Sequence, residues 1–218
     1  MLISAGPTRE AIDPVRFISN YSTGYMGRTL AEAALARGHR VTVVNGPSTE
    51  PLPKAAGVIP VVSAAEMERA LRREARRAHV IFMAAAVADF RPVRPAIRKL
   101  ARSARLTLRL APTPDIIARL PRRTNQVIVG FSLEMDHVLQ RAARKLREKR
   151  LDLLLAQQLE RTEKAGAKLG PPFGRQPVRA WLLSRSGAVQ ALKGQRKSRI
   201  AQVLLDKAEA LWYGDPRF

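Results

Sequence analysis

The chain has 218 residues, with 39 lysines and arginines against 18 aspartates and glutamates, and no cysteine. Its 46% hydrophobic and 26% charged residues exclude wholesale disorder, and the lack of cysteine excludes a disulfide scaffold, a thiolate zinc site and a cysteine nucleophile. The length fits one domain spanning residues 1–218. Because the N-terminus lacks a basic leader and no apolar run approaches the ~18 residues that span a membrane, we expect a soluble cytoplasmic protein.

The net charge of +21 points first to polyanionic partners, such as nucleic acid, an acidic membrane surface or phosphorylated small molecules. Basic clusters such as 69–77 and 141–150 alternate with apolar residues, as on the solvated face of a helix. Aromatic residues make up only 5% of the chain and do not interleave with these clusters as base-stacking platforms. A basic nucleic-acid-binding α/β protein is therefore an alternative rather than the main expectation.

The first half of the chain alternates strand and helix patterns. Short apolar runs predict strands at 2–5, 40–44, 57–62 and 79–86. Helices are predicted at 26–37 and at 63–77, where Ser63 and Glu66 have the spacing of a capping box. The run at 79–86 is apolar throughout, as in a strand buried on both faces. This alternation predicts βαβ crossovers and a doubly wound parallel sheet.

The second half is less regular. The sequence predicts strands at 106–110, 126–131 and 151–156, helices at 114–120, 136–150 and 198–212, and a hairpin of strands 181–183 and 188–192. A stretch rich in glycine, proline and lysine at 164–177 predicts a loop. The fold class is therefore α/β, a three-layer, Rossmann-like domain with a largely parallel sheet and an irregular C-terminal strand region.

Ligands of open parallel sheets bind beyond the carboxyl ends of the strands. Small residues at 84–86 would let a ligand approach the backbone, and Asp89 could accept hydrogen bonds from a base or ribose, although a turn aspartate explains it equally well. The polar connection from Gly6 to Thr23 is longer than packing requires, which predicts a binding loop or an ordered Ω-loop. The backbone amides near 22–27, where a helix begins, suit a phosphate.

Several common kinds of site are disfavoured. The first turn has one glycine where the dinucleotide fingerprint needs three, which disfavours an NAD-dependent oxidoreductase. The sequence also lacks the P-loop motif and the G-x-S-x-G motif of serine hydrolases. His39, His79 and His137 are widely spaced, so we expect surface or strand-end positions rather than metal ligation.

Motifs in fixed order along nearly the whole chain carry a family resemblance. They are GPTRE at 6–10, IDPVRFISN at 12–20, STG at 22–24 with MG at 26–27, AAAVADF at 84–90, PDI at 114–116, GF at 130–131 with Glu134, and the lysine pair Lys145 and Lys149. Together they resemble phosphopantothenoylcysteine synthetase, also called phosphopantothenate–cysteine ligase. The form resembled is the stand-alone one, without the flavin-dependent decarboxylase domain fused to it in many bacteria, so no flavin is expected.

The resemblance implies that CTP or ATP drives the ligation of 4′-phosphopantothenate to L-cysteine through an acyl-nucleotidylate, in coenzyme A biosynthesis. It also implies Mg²⁺, with unassigned protein ligands, and a homodimer that completes the site. The implied nucleotide-binding residues are Met83, Ala84, Ala85, Asp89, Pro114, Asp115, Ile116, Ile117, Phe131, Lys145 and Lys149. The implied substrate-binding residues are Gly6, Asn20, Ser22, Thr23, Gly24 and Ala86. From spacing alone, the two lysines share one helix face and could equally be solvated.

The sequence departs from the family pattern at one lysine that supports catalysis, which aligns with Ala96. Arg98 and Lys99 lie nearby, and the resemblance implies that one of them takes its place, with Asn20 as the other catalytic residue. Arginine and lysine are not interchangeable as point charges, so a catalytically weakened nucleotide-binding relative is a further alternative.

Overall fold

A computed structural model of the protein describes residues 1–103, 105–159 and 174–214. Its strands are β1 (Leu2–Ala5), β2 (Arg9–Ala11), β3 (Phe17–Ser19), β4 (Thr42–Asn45), β5 (Gly57–Pro60), β6 (Val80–Met83), β7 (Phe90–Pro92), β8 (Leu110–Pro112), β9 (Val127–Glu134), β10 (Leu153–Gln158), β11 (Ala180–Ser184) and β12 (Val189–Ala191). Its helices are α1 (Tyr25–Ala36), α2 (Ala64–Ala75), α3 (Val138–Glu148) and α4 (Lys197–Tyr213).

Eight of these strands form one sheet, in the order β12-β11-β10-β9-β6-β1-β4-β5. The strands from β10 to β5 pair in parallel, whereas β11 and β12 are antiparallel. The chain runs from β1 to one edge of the sheet and then returns to β6, on the other side of β1. The boundary between β1 and β6 is therefore the point where the winding direction reverses, and the expected doubly wound sheet with an irregular C-terminal region is confirmed.

Helices cover both faces of the sheet. One apolar core packs α1 and α4 against one face, with Leu30 and Leu204 among its fully buried members. The other packs α2 and α3 against the opposite face, with Met67 and Leu146 buried there. Since both faces are covered, all four residues of β6 are buried, as its continuous apolar sequence predicts. None of the helices in the described ranges has the length and apolarity that crossing a membrane requires.

The capping box predicted at the start of α2 is present in a variant form. Ser63 Oγ accepts a hydrogen bond from the Glu66 amide at 3.2 Å, and the Glu66 carboxylate accepts one from the Val62 amide at 2.8 Å. Two amides that the helix itself cannot satisfy are therefore paired, which fixes where α2 begins.

Arginines also hold the carboxyl end of α3. The Arg122 guanidinium donates to the carbonyls of Lys149 and Arg150, and Arg185 donates to the same Arg150 carbonyl at 2.8 Å. These carbonyls carry the negative end of the helix dipole, so cations there are stabilising. Burial lowers the pKa of Arg122. Part of the large positive charge therefore has a structural use.

Two sequence predictions are wrong. Residues 116–119 form turns instead of part of a helix at 114–120, because the Asp115 carboxylate accepts the Ala118 amide at 3.2 Å and Pro121 follows at once. The strand expected at 106–110 is instead β8, which pairs with β7 and lies two to four residues later. The loop expected at 164–177 falls mainly on residues 160–173, outside the described ranges.

Candidate functional site

A cleft of about 640 Å³ opens at the carboxyl edge of the sheet, where β1, β6 and β9 end. We call it the α3 compartment, because Lys145 of α3 and Lys149, its C-cap residue, lie on its wall. Its other lining residues include Ser4, Asn20, Met83, Ala85, Ala86, Asp89, Pro114, Asp115, Ile116, Ile117, Phe131 and Ser132. This is the position where open doubly wound sheets bind ligands.

A second cavity of about 170 Å³ lies across the sheet edge, beside the start of α1. We call it the α1 compartment. It is lined by Tyr21, Ser22, Thr23, Gly24, Tyr25, Met26, Ala84, Ala85, Ala86, Phe131, Ser132, Leu133, Gln157, Gly174 and Lys197. The two compartments share Tyr21, Ala85, Ala86 and residues 131–133. The two compartments therefore lie on either side of one wall, which these shared residues form.

Hydrogen bonds between the segments after β1 and after β6 build this wall. The Ala85 amide donates to Ser4 Oγ at 3.1 Å, and the Ala88 amide donates to Thr8 Oγ1 at 2.9 Å. Both hydroxyl-bearing residues are fully buried, so the bonds are shielded from water. Between them, the Ala86 amide donates to the Gly6 carbonyl at 2.9 Å. The alanines thus present little more than backbone to a ligand.

Asn20 is held at the cleft by the hairpin of β2 and β3, which occupies the long connection after β1. Ser19 Oγ donates to the Thr8 carbonyl at 2.7 Å and ties the end of the hairpin to the wall. The Asn20 side-chain amide then donates to the Val87 carbonyl at 2.8 Å. The long connection is therefore an ordered structure that positions one polar side chain at the ligand edge.

Lys145 on α3 and Lys149, the residue that caps its carboxyl end, lie one turn apart on the wall of the α3 compartment. Lys145 Nζ lies 2.6 Å from Glu134 Oε1, and Lys149 Nζ lies 3.3 Å from Asp115 Oδ2. The lysine side chains are 37% and 35% exposed, whereas Glu134 is buried. Each lysine is therefore held by a carboxylate while it remains accessible to an anion in the cleft.

The α1 compartment combines a helix N-terminus with a buried lysine. Gly24 precedes α1 with φ 84°, and a Cβ there would lie 2.6 Å from the Ser48 Cβ, so glycine is needed for both reasons. Lys197 is only 5% exposed, and its Nζ donates to the Gly174 carbonyl at 2.8 Å. Burial lowers the pKa of Lys197 to about 8, and the charge of Glu50 partly opposes this effect. The arrangement suits an anionic group.

The structure brings most of the sequence-predicted site residues to these compartments. Asn20, Met83, Ala85, Ala86, Asp89, Pro114, Asp115, Ile116, Ile117, Phe131, Lys145 and Lys149 line the α3 compartment. Ser22, Thr23, Gly24 and Ala84 line the α1 compartment. Gly6 lines neither of them; it has φ 73°, and a Cβ there would lie 2.9 Å from the Gly46 carbonyl oxygen. The individual roles of these residues stay predictions.

Arg98 and Lys99 are not brought to either compartment of the same chain. Both are exposed, because the segment that carries them is tied to the turn of the β2–β3 hairpin. The Leu100 amide donates to Asp13 Oδ2 at 3.1 Å, and Arg16 donates to the Leu100 carbonyl at 2.9 Å. The Arg16 guanidinium also holds the pKa of Asp13 well below its usual range. Neither cation therefore lines a compartment of its own chain, and the role of one of them in place of the family lysine stays a prediction.

The sequence assigned no individual role to several of the lining residues, among them Ser132, Gln157 and Lys197. Ser132 and Gln157 are polar residues at the ends of apolar strands, and that interruption is the signal that could have found them. Ser132 Oγ and Gln157 Nε2 are buried and have no hydrogen-bond partner within the described parts of the chain. Lys197 was hidden in a basic cluster, where nothing distinguishes a buried lysine from a solvated one.

The three histidines take part in packing and capping contacts, and the expectation that none of them binds a metal stays a prediction. His39 Nε2 lies 2.7 Å from Glu209, and the ring of His79 stacks on Trp212 with centroids 4.8 Å apart. His137 precedes α3 with φ 46°. In residues 1–103, 105–159 and 174–214, no three histidines or carboxylates cluster as metal ligands.

Similarity to known proteins covers almost the whole chain. The family model described as DNA/pantothenate metabolism flavoprotein C-terminal domain matches residues 1–211. The Coenzyme A biosynthesis bifunctional protein CoaBC of Vibrio vulnificus is 45% identical over 161 residues, covering 72% of this chain and 40% of that protein. A Cysteine/Cysteine sulfinic acid decarboxylase from an unknown prokaryotic organism is 40% identical over 211 residues, covering 95% and 57%. The chain thus spans about half of these relatives, or less.

Solved structures agree with this assignment. The crystal structure of the C-terminal domain of CoaBC has a TM-score of 0.79 and 30% identity, covering 98% of this chain and 95% of that one. A Cab2 variant in complex with phosphopantothenate-cysteine has a TM-score of 0.72 at 18% identity, covering 100% and 88%, and shares the fold. The chain therefore belongs to the family of DNA/pantothenate metabolism flavoprotein C-terminal domains, as its resemblance to phosphopantothenoylcysteine synthetase predicted.

Proposed function

We propose that this protein ligates 4′-phosphopantothenate to L-cysteine at the expense of a nucleoside triphosphate, as a step of coenzyme A biosynthesis. The observation that carries the proposal is the pair of compartments, each suited to an anion, which meet at one wall. A ligase of this kind must bring a carboxylate and a triphosphate together. The relatives named CoaBC support the pathway, and the motifs at 6–27 and 84–90 support the reaction.

The reaction balances in two steps. The phosphopantothenate carboxylate attacks the nucleotide α-phosphorus, forming an acyl-nucleotidylate and releasing pyrophosphate. The cysteine amine then attacks the acyl carbon, the nucleoside monophosphate leaves, and the amine loses a proton as the amide forms. The first step builds negative charge on the leaving pyrophosphate, which preorganised cations stabilise. In this proposal Lys145 and Lys149 supply these cations, and their ion pairs with Glu134 and Asp115 hold them in position beforehand.

In this proposal each substrate of the first step occupies one compartment. The phosphate of phosphopantothenate lies between the start of α1 and Lys197, near Ser22 to Gly24. Its carboxylate reaches the shared wall, where Asn20 holds the carboxylate or the acyl intermediate. The nucleotide, CTP or ATP, fills the α3 compartment between residues 114–117 and Phe131.

Magnesium fits this arrangement as an ion carried largely by the triphosphate. Mg²⁺ typically keeps several waters and binds through one or two carboxylates together with substrate phosphates. The α3 compartment offers the carboxylates of Asp89 and Asp115, and the latter lies 3.3 Å from Lys149. When bound there, Mg²⁺ would neutralise phosphate charge. The reaction exchanges no electrons, so the proposal includes no flavin.

The active form in this proposal is a homodimer. The two hairpins, β2–β3 and β7–β8, expose large apolar side chains, with Phe17 47%, Phe90 54% and Ile97 94% exposed. Covering such a surface with a second copy would bury it. Arg98 and Lys99 follow Ile97 directly and would then lie at the interface. Sedimentation of the Ile97→Ser variant tests this: a monomer is expected, and a dimer as stable as the wild type contradicts it.

Pyrophosphate release tests the enzymatic proposal. Wild-type protein is mixed with phosphopantothenate and CTP or ATP, with and without cysteine, and pyrophosphate, carbon dioxide and the ligated product are measured. Pyrophosphate release that yields the ligated product when cysteine is present supports the proposal. If neither CTP nor ATP gives any pyrophosphate, the proposal is refuted. Tight nucleotide binding without release would instead indicate the weakened relative. Carbon dioxide released from cysteine would indicate a decarboxylase, the activity for which one relative is named. Salt-sensitive binding to nucleic acid that is tighter than binding to the nucleotides would favour the nucleic-acid-binding alternative.

Asn20→Ala tests the site assignment. The variant should fold, since Asn20 lies at the surface and donates one hydrogen bond to Val87, but it should lose turnover. Arg144→Ala, on the exposed face of α3, is the matched control. Unchanged turnover of the Asn20 variant would refute the assigned role. The single domain spanning 1–218 and the cytoplasmic location stay predictions.

A further inference from the structure

Ser132 is a buried polar residue that neither the sequence motifs nor the packing accounts for. It is 7% exposed, and its Oγ has no hydrogen-bond partner among residues 1–103, 105–159 and 174–214. It nevertheless lines both compartments. A buried hydroxyl without a partner is rare in native proteins and calls for an explanation.

The sheet topology explains why the neighbouring strands and the segment after β6 do not bond this hydroxyl. Strand β6 ends at Met83, which pairs with Gly130, so β9 extends beyond β6 by several residues. On its other side, Ser132 pairs with Ala156, whose side chain cannot hydrogen-bond. The segment at 85–86 occupies the space beyond β6, and its amides are already used by Ser4 and Gly6. Ser132 therefore lies at the wall without a hydrogen-bond partner in the described ranges of the chain.

The orientation of Ser132 indicates what it could bind. Residues two apart on a strand share a face, so Ser132 lies on the same face as Glu134, which contacts Lys145 at 2.6 Å. Ser132 is thus the next residue on the same strand face as the carboxylate that contacts Lys145. A ligand group drawn there by Lys145 and Lys149 carries negative charge, and a serine hydroxyl can donate to its oxygen.

We propose that Ser132 Oγ donates a hydrogen bond to a ligand phosphate or carboxylate oxygen at the junction of the two compartments, and so determines affinity there. The inference rests on the proposed function, because the ligands it names are those of the ligation. The oxygen belongs either to the nucleotide α-phosphate or to the phosphopantothenate carboxylate. These two sources share one chemistry and are separated by measuring each ligand alone.

Calorimetric binding of CTP, ATP and phosphopantothenate to wild type and Ser132→Ala tests the inference. Hydrogen bonds to charged groups support a loss of about tenfold or more in affinity for one of these ligands. The melting temperature should stay the same or rise, because the substitution removes an unpaired buried group and no internal hydrogen bond. Affinities within twofold of wild type for every ligand, or a fall in melting temperature without a loss of affinity, overturn the inference.

Two control variants separate this result from general effects. Ser4→Ala removes a hydroxyl that accepts the Ala85 amide at 3.1 Å, so it should lower the melting temperature. Ser186→Ala, in the exposed turn between β11 and β12, should change neither quantity. If wild type binds none of the ligands, the proposed function fails and the inference falls with it. If wild type binds and Ser132→Ala binds equally well, only the inference fails.

Discussion

Replacing Lys197 with methionine should make the protein more stable at neutral pH and remove a pH dependence of stability. Lys197 is 5% exposed, and burial lowers its pKa from 10.5 to about 8. At pH 7 the ammonium is charged in both the folded and the unfolded chain, and folding must bury it. Because the folded pKa lies below the unfolded one, this cost is complete below pH 8 and disappears as the pH rises towards 10.5.

The magnitude follows from those two pKa values. Each tenfold change in proton affinity equals about 1.4 kcal/mol, so the cost at pH 7 is at most about 3 kcal/mol. At pH 9.5 the folded chain has released this proton and the unfolded chain has not, which reduces the cost to about 1.4 kcal/mol. Against this, the substitution loses the hydrogen bond to the Gly174 carbonyl, about 1.5 kcal/mol or more for a charged donor. A net gain of about 1–2 kcal/mol is expected at pH 7.

Urea unfolding of wild type and Lys197→Met at pH 7 and pH 9.5 measures this effect. The free energy of unfolding of the variant relative to wild type should fall by about 2 kcal/mol between the two pH values, since other titrating groups cancel in the difference. A difference that is independent of pH would refute the assignment of the low pKa to Lys197. Phosphopantothenate affinity should fall in the variant, and more at pH 7 than at pH 9.5, where folded Lys197 has released its proton; this measurement separates the residue's ligand role from its effect on stability.

Three further outcomes follow from the geometry. Gly46→Ala should lower the free energy of unfolding in urea by about 1–3 kcal/mol, because its Cβ would lie 1.8 Å from the Pro7 carbonyl oxygen. The control Gly57→Ala, whose Cβ would lie 3.7 Å from its nearest atom, should be nearly neutral, and equal effects of the two substitutions would contradict this reasoning. Lys149→Ala should weaken nucleotide binding about tenfold in calorimetry, and Arg144→Ala should not. Asp13→Asn should speed hydrogen exchange of the Leu100 amide, which donates a hydrogen bond to the Asp13 carboxylate. Because the pKa of Asp13 is depressed, wild type should keep this bond at neutral pH and lose it only as the pH falls well below the usual range of an aspartate. Unchanged exchange in the variant would show that the bond does not hold this segment.

The parallel core could be predicted from the sequence because its signals are local and strong. Strand β1 lies where its apolar run placed it, and α2 begins where Ser63 and Glu66 indicate. Burial on both faces forces continuous apolar sequence on β6, and capping residues mark where a helix can begin. In such segments local sequence and tertiary packing agree, so the pattern is sufficient.

Where local pattern and tertiary structure differ, the sequence was less informative. The hairpin of β2 and β3 has short, half-exposed strands, so it lacks a clear apolar period. At 114–120 the Asp115 carboxylate accepts a hydrogen bond from the Ala118 amide, which stabilises a turn in place of the predicted helix. The motifs found most residues around the cleft, but not Ser132 or Lys197, because burial of a polar side chain depends on which strands end beside it and cannot be deduced from residue type.

The shared wall separates two mouths that open on opposite faces of the sheet, one beside α3 and one beside α1. Two ligands that enter by separate mouths do not have to wait for each other, so neither should act as a competitive inhibitor of the other's binding. Initial-rate kinetics with both substrates varied should then follow random rather than compulsory-order addition before pyrophosphate leaves. A single molecule long enough to reach around the alanines at 85–86 would occupy both mouths at once, and its binding energy could exceed that of either half because joining them removes the entropy cost of a second association.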